Sequence, residues 1–89
     1  MRDKRLVEII DGRAPKRLPL ALVRAIERRL ASIVLAEVVE DLRLPASNRL
    51  EVLRGDRVGQ HAIRVNDQWR LCFVWKDDGA HQLELVDYH

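Results

Sequence analysis

Two hydrophobic periods divide the chain. From Pro19 onward, Leu22, Ile26, Leu30 and Ile33 recur at steps of four, four and three residues, with Val23 and Val34 beside them. That spacing draws an apolar stripe along one side of a helix and leaves Arg24, Glu27, Arg28 and Ala31 on the other. Pro19 suits the first turn of such a helix, where the missing N–H has no intrahelical partner anyway. Upstream, Leu6, Val7, Ile9 and Ile10 predict a shorter helix, with Asp3 as its N-terminal cap and Gly12 where a left-handed residue would close it. The stretch 12–17, with Pro15, reads as the loop between them. A further helical turn is expected around 37–42, and Pro45 ends it.

Beyond Pro45 the period falls to two. Residues 49–54, 60–65, 68–75 and 80–88 alternate or are β-rich, and the breaks between them are turn signals: 55–59 with two glycines, Asn66-Asp67 and Asp77-Asp78-Gly79. Connections this short make consecutive strands antiparallel neighbours, a four-stranded meander. In the third strand Trp69, Leu71, Phe73 and Trp75 share one face and Gln68, Arg70, Cys72 and Val74 the other. Leu83 and Leu85 are expected to join the aromatic face. An amphipathic helix pair and a one-sided sheet bury each other, so the fold expected is α+β, with two N-terminal helices on one face of the sheet. Arg64 and Arg70 then lie on the opposite, open face.

A chain of 89 residues has room for one domain, 1–89, with a helical part 3–42 and a sheet part 49–88. At 47% hydrophobic and 34% charged residues it is too apolar and too balanced for a disordered chain. No run reaches the roughly 18 apolar residues of a membrane span, and Glu8 interrupts the only candidate for a signal-peptide core. A cytoplasmic location without a membrane partner is therefore expected. The single cysteine, Cys72, excludes an internal disulfide and zinc modules built on four cysteines. The formal net charge of +2 is unevenly spread. Residues 1–29 carry nine basic and four acidic side chains, whereas 30–89 carry seven and ten. A basic end suits either nucleic-acid binding or solubility.

Residue types alone mark few chemical candidates. The segment 55–59 lacks the Lys-Ser/Thr ending and the strand-to-helix setting of a phosphate loop, so it reads as a hairpin connection. Cys72, inside a strand, reads as a small buried hydrophobe. His61, His81 and His89 have no metal-ligand spacing, and no metal or other cofactor is expected. Arg70 suits either anion binding or an ordinary solvated strand position. Asp87, Tyr88 and His89 bring three proton-active groups to the chain end, where polar residues are only hints.

The segments Arg-Leu-Glu-Val-Leu-Arg-Gly-Asp-Arg at 49–57, Ile-Arg-Val-Asn-Asp-Gln-Trp-Arg-Leu-Cys-Phe at 63–73 and the final Asp-Tyr-His resemble the HigB-type toxins of bacterial toxin–antitoxin modules, within the RelE-like superfamily. Leu18-Pro19-Leu20 and Leu42-Arg43-Leu44-Pro45 resemble them too, so nearly the whole chain is covered. The resemblance implies a RelE-like fold and a ribosome-dependent endonuclease that cuts mRNA in the A site. It also implies a helix-turn-helix antitoxin of the HigA type as partner, through which alone operator DNA would be contacted. The catalytic positions it implies are Arg54, Arg70, Asp87, Tyr88 and His89; Arg57, Arg64 and Glu51 are expected beside them as substrate contacts. Glu51 stands where some members carry histidine, Arg54 where many carry lysine, and Gln60-His61-Ala62 where an aromatic residue and a serine are common. Relatives also begin with a short extra strand that this chain starts after, so an unpaired sheet edge is expected.

Those residue types fit RNA cleavage by its own 2′-OH. Arg54 and Arg70 would stabilise charge building on the non-bridging phosphate oxygens. His89 or Asp87 would move protons, and Tyr88 would orient the substrate or stack on a base. Two other readings share the scaffold: a ParE-like toxin that binds gyrase without cutting RNA, and a weakened homologue that still binds its antitoxin.

Overall fold

Asp3 opens the described part of the chain, residues 3–88 of a computed structural model, and it caps the first helix as its position predicts. Its carboxylate accepts the Arg5 backbone N–H at 3.0 Å, and helix α1 runs Lys4–Ile10. Gly12, at φ +84°, closes the helix in the left-handed conformation that costs glycine nothing. Helix α2 runs Leu20–Leu35 with Pro19 at its N-cap, and it buries Leu22, Val23, Ala25, Ile26, Leu30 and Ile33. Val34 departs from the expected stripe. One residue past Ile33, it is rotated about 100° off the buried line, and 82% of it is exposed. The helical turn expected at 37–42 is a 3-10 turn, Val39–Arg43. The Asp41 carboxylate takes the N–H groups of Glu37 (2.9 Å) and Val38 (3.3 Å), which starts a short turn without extending it into an α-helix. A second 3-10 turn, Ala46–Asn48, leads into the sheet.

The sheet is antiparallel in the order β1-β2-β3-β4, with β1 Glu51–Val52, β2 His61–Arg64, β3 Trp69–Lys76 and β4 Gly79–Asp87. The first strand is shorter than the expected 49–54. Arg49 is left-handed (φ +46°) after the preceding turn, and Arg54 already leads into the 3-10 turn Gly55–Arg57. Pairing continues as far as the Leu53 N–H, which donates to the Gln60 carbonyl at 2.9 Å. The 55–59 connection is the hairpin loop expected, with Gly55 and Gly59 both at positive φ.

Between Cys72 and Val74 the β3–β4 register slips, because β4 carries an extra residue, Gln82, at φ +54°. This bulge keeps Ala80, Leu83 and Leu85 on the helix side although their spacing breaks a period of two. The core lies between α1, α2 and that sheet face, with Leu6, Ile26, Leu42, Ile63, Leu71 and Phe73 wholly or almost wholly enclosed. Burial of each such side chain contributes roughly 1.5–3 kcal/mol before entropy is counted. Trp69 and Trp75 share this face but are only half-buried at its margins.

The outer edge of β4 is not left bare at Leu85, near its C-terminal end. The Leu85 N–H donates to the Asp3 carboxylate at 3.0 Å, and the Leu85 carbonyl accepts from Arg5 Nη2 at 3.0 Å. The side chains of Asp3, the N-cap of α1, and of Arg5 in its first turn thus satisfy the groups a neighbouring strand would have taken, which corrects the expectation of an unpaired edge at that residue. Among the described residues, no helix is long and apolar enough to cross a membrane.

Candidate functional site

The open face of the sheet is built by alternation. Glu51, Ala62, Cys72 and Glu84 stand in one row across the four strands, and Arg64, Arg70 and Val86 in the next. Leu53, Ala62 and Cys72 form a small buried apolar patch here, with Val86 packed against it. Burial pushes the Cys72 thiol above its ordinary pKa, as expected of an inert buried cysteine.

Arg64 and Arg70 are direct cross-strand partners, an arrangement that repels unless each charge is compensated. The β2–β3 turn supplies the compensation. The Asn66 side chain accepts the N–H groups of Gln68 (2.9 Å) and Trp69 (2.8 Å), tightening the turn. Asp67 then pairs with Arg64, and the Asn66 carbonyl accepts from Arg70 Nη1 at 2.8 Å. The Arg70 guanidinium also lies 4.9 Å from the centroid of the Tyr88 ring, a cation–π contact.

Tyr88 follows β4, at one edge of the sheet, and its hydroxyl donates to Glu51 Oε1 in β1, at the other, at 3.3 Å. The bond therefore spans the open face. The Glu51 charge is the main cause raising the Tyr88 pKa, followed by burial and the hydrogen bond itself, and Arg70 opposes them. Arg57 reaches the same face from the 55–59 loop, bonding Glu84 at 3.1 Å and Gln60 at 3.2 Å. The bond to Glu84 holds the Arg57 guanidinium more firmly protonated.

Arg70, Tyr88, Glu51, Arg64 and Arg57 are thus brought onto one face. Asp87 is not. It lies opposite Trp69 in the ladder, on the alternate side of β4 from Val86 and Tyr88, and its carboxylate accepts from the Gln68 side-chain amide at 2.9 Å. Arg54 is exposed at the end of β1 and makes no side-chain hydrogen bond or ion pair among the described residues. His89 lies outside the described residues.

Two further side chains that the sequence reading did not single out hold segments beside this face. Gln68 holds Asp87. Arg29, from α2, donates Nε to the Arg64 carbonyl at 2.9 Å, and burial first, then the charges of Arg28 and Arg64, lower its pKa. Its signal was present in the pattern, since Arg29 falls three residues after Ile26 and four before Ile33, a charge on the margin of the buried stripe. Among the described residues, no group of three or more His, Cys, Asp or Glu side chains is arranged to hold a metal ion.

The arrangement offers a shallow, arginine-rich surface with one aromatic ring laid over a guanidinium, chemistry that suits a phosphodiester and an adjacent base. Known proteins agree with the fold and its family. Residues 1–89 match the model of the RelE-like toxin of the type II toxin–antitoxin system HigB. Toxin HigB-1 of Vibrio cholerae serotype O1 is 39% identical over 70 residues, 79% of this chain and 74% of that protein. An uncharacterized protein of Haemophilus influenzae is 32% identical over 74 residues, 83% of this chain and 73% of its own. With its whole length matched and two helices laid on a four-stranded antiparallel sheet, the chain belongs to the HigB-like family of RelE-like toxins of type II toxin–antitoxin systems.

Proposed function

We propose that this toxin is a cytoplasmic endoribonuclease that cleaves mRNA in the ribosomal A site by attack of the 2′-OH on the adjacent phosphorus. The observation that carries this reading is the chain of contacts Arg70–Tyr88–Glu51 laid across a face that also holds Arg64. In the reaction the 2′-oxygen bonds to phosphorus as it loses its proton to a base. The bond to the 5′-oxygen breaks, and that oxygen leaves with a proton from an acid, giving a 2′,3′-cyclic phosphate and a 5′-hydroxyl end.

Arg70 has one guanidinium nitrogen engaged by backbone carbonyls, which fixes its plane and leaves further N–H groups for the non-bridging oxygens. Arg54 serves as a second clamp, the guanidinium being suited to holding phosphate oxygens and not to carrying a proton. Tyr88, held at its hydroxyl by Glu51, presents a ring on which a base stacks. Proton transfer is assigned to His89, histidine being the side-chain type suited to acid and base roles near neutral pH. Asp87, turned to the other side of β4 and bonded to Gln68, steadies the tail that carries it. Arg57 and Arg64, each paired with a carboxylate, contact flanking phosphates. The antitoxin implied by a type II system is read as a HigA-type helix-turn-helix protein that carries the operator contacts.

The test is controlled expression followed by mapping of mRNA 5′ ends. Cuts phased to codons in translated messages are expected, and both Arg70→Ala and deletion of His89 should abolish them, with toxicity, in domains that still fold. Stable mRNA alongside relaxed or damaged DNA would transfer the protein to the gyrase-binding reading. Folded variants that remain fully toxic would remove Arg70 and His89 from the site.

A further inference from the structure

At the far end of β4 from Tyr88 lies a groove of about 940 Å³ between the ends of both helices and the β3–β4 turn. Its volume is comparable with about two turns of helix including side chains. Its walls carry Ile10, Val34 and Leu35, which are 55%, 82% and 80% exposed. One exposed leucine needs no explanation, but three large apolar side chains on one concave surface mark an interaction site. All four ionisable residues lining it are acidic: Glu27, Glu37, Asp77 and Asp78. The last turn of α2 contains no basic residue, so its carbonyl end adds to the negative potential.

We infer that this groove is where the antitoxin docks, through an amphipathic helix whose apolar stripe is flanked by lysine or arginine. The inference rests on the antitoxin partner that a type II system implies, and not on the RNA-cleaving reading. An acidic rim repels RNA, and it repels a second copy of itself wherever the two rims would meet in a symmetric pair. A helix with basic flanks satisfies the apolar floor, the acidic rim and the carbonyl end of α2 together. Docking there leaves the Arg70–Tyr88 face uncovered by the helix itself.

The experiment is calorimetric titration of the purified toxin with the antitoxin encoded beside it, on variants checked for folding by circular dichroism. The paired change Val34→Lys with Leu35→Lys alters two exposed side chains and places like charge against the helix. It should weaken binding about 30-fold or more, the scale of losing an interface hot spot. Glu37→Lys with Asp77→Lys should weaken it as well and flatten its dependence on salt. Arg70→Ala should bind as the parent does. Unchanged affinity in the Val34/Leu35 variant, or loss of affinity in Arg70→Ala, overturns the inference. So does a free toxin that sediments as a dimer and becomes monomeric in the Val34/Leu35 variant while antitoxin affinity holds, since the groove would then belong to a second copy. None of these readouts depends on RNA cleavage, so failure here and failure of the nuclease reading are separable.

Discussion

At the scale of single residues, Tyr88 offers the clearest measurement. It is the chain's one tyrosine, so phenolate absorbance reports on it alone. The Glu51 charge first, then burial and the shared hydrogen bond, hold its pKa above the ordinary 10.0, while Arg70 pulls the other way. Ionising the phenol beside a carboxylate costs energy, and removing that carboxylate returns it. In an alkaline titration the parent midpoint is therefore expected above 10.0, lower in Glu51→Gln and higher in Arg70→Ala. A midpoint that does not move in Glu51→Gln would mean that the bond across the open face is not formed in solution. The same variant bears on activity through orientation. If Glu51 acts only by holding Tyr88, Glu51→Gln, which still accepts a hydrogen bond, should retain more toxicity than Glu51→Ala.

At the scale of elements, the seven-residue helix α1 is too short to stand alone and is held by what its first turn does for β4. The Asp3 side chain, 8% exposed, caps the helix, pairs with Arg5 and takes the Leu85 N–H. Burial raises its pKa, but the bonds from Arg5 and Leu85 and the Arg5 charge together outweigh that and hold it below the ordinary 3.8. A carboxyl depressed in the folded state stabilises fully above its unfolded pKa, and the contribution is lost as pH falls through the folded value. Asp3→Ala is thus expected to cost about 1–3 kcal/mol at neutral pH in urea unfolding, with the gap from the parent closing below about pH 4. A gap that stays constant into acid would show that the charge of Asp3 plays no part. The cap was legible in the sequence because capping is local, and so were β2 to β4, whose periods of two run long enough to count. The early end of β1 was not, since it depends on Arg49 turning left-handed, and neither was the Gln82 bulge, which exists only in the pairing with β3. Alternation alone places Asp87 and Tyr88 on opposite sides of β4, yet the contact of Tyr88 with Arg70 and Glu51 needed the folded sheet. Before that, only family resemblance joined those residues.

At the scale of the whole molecule, charge by segment proves a poor guide to charge by face. The N-terminal third is the basic one in sequence, but Arg57, Arg64 and Arg70 on the open face come from the part of the chain with more acids than bases. Folding spends several of those acids as partners, Asp67 on Arg64 and Glu84 on Arg57, and gathers others at the groove rim. What remains for a phosphate backbone is a small cationic surface on a protein of net charge +2. Isolated RNA should accordingly bind weakly, and its affinity should fall with salt by a slope of about −0.7 for each phosphate neutralised on a single strand. Arg54, exposed and without an ion pair among the described residues, should account for one such contact. In fluorescence anisotropy with a short single-stranded RNA, Arg54→Ala is expected to shallow the slope of log affinity against log salt by about 0.7. Arg57→Ala should change it less, because the Arg57–Glu84 pair is already nearly neutral as a unit. Equal slopes for Arg54→Ala and the parent would place Arg54 off the RNA path and leave Arg70 as the only clamp on the cleaved phosphate.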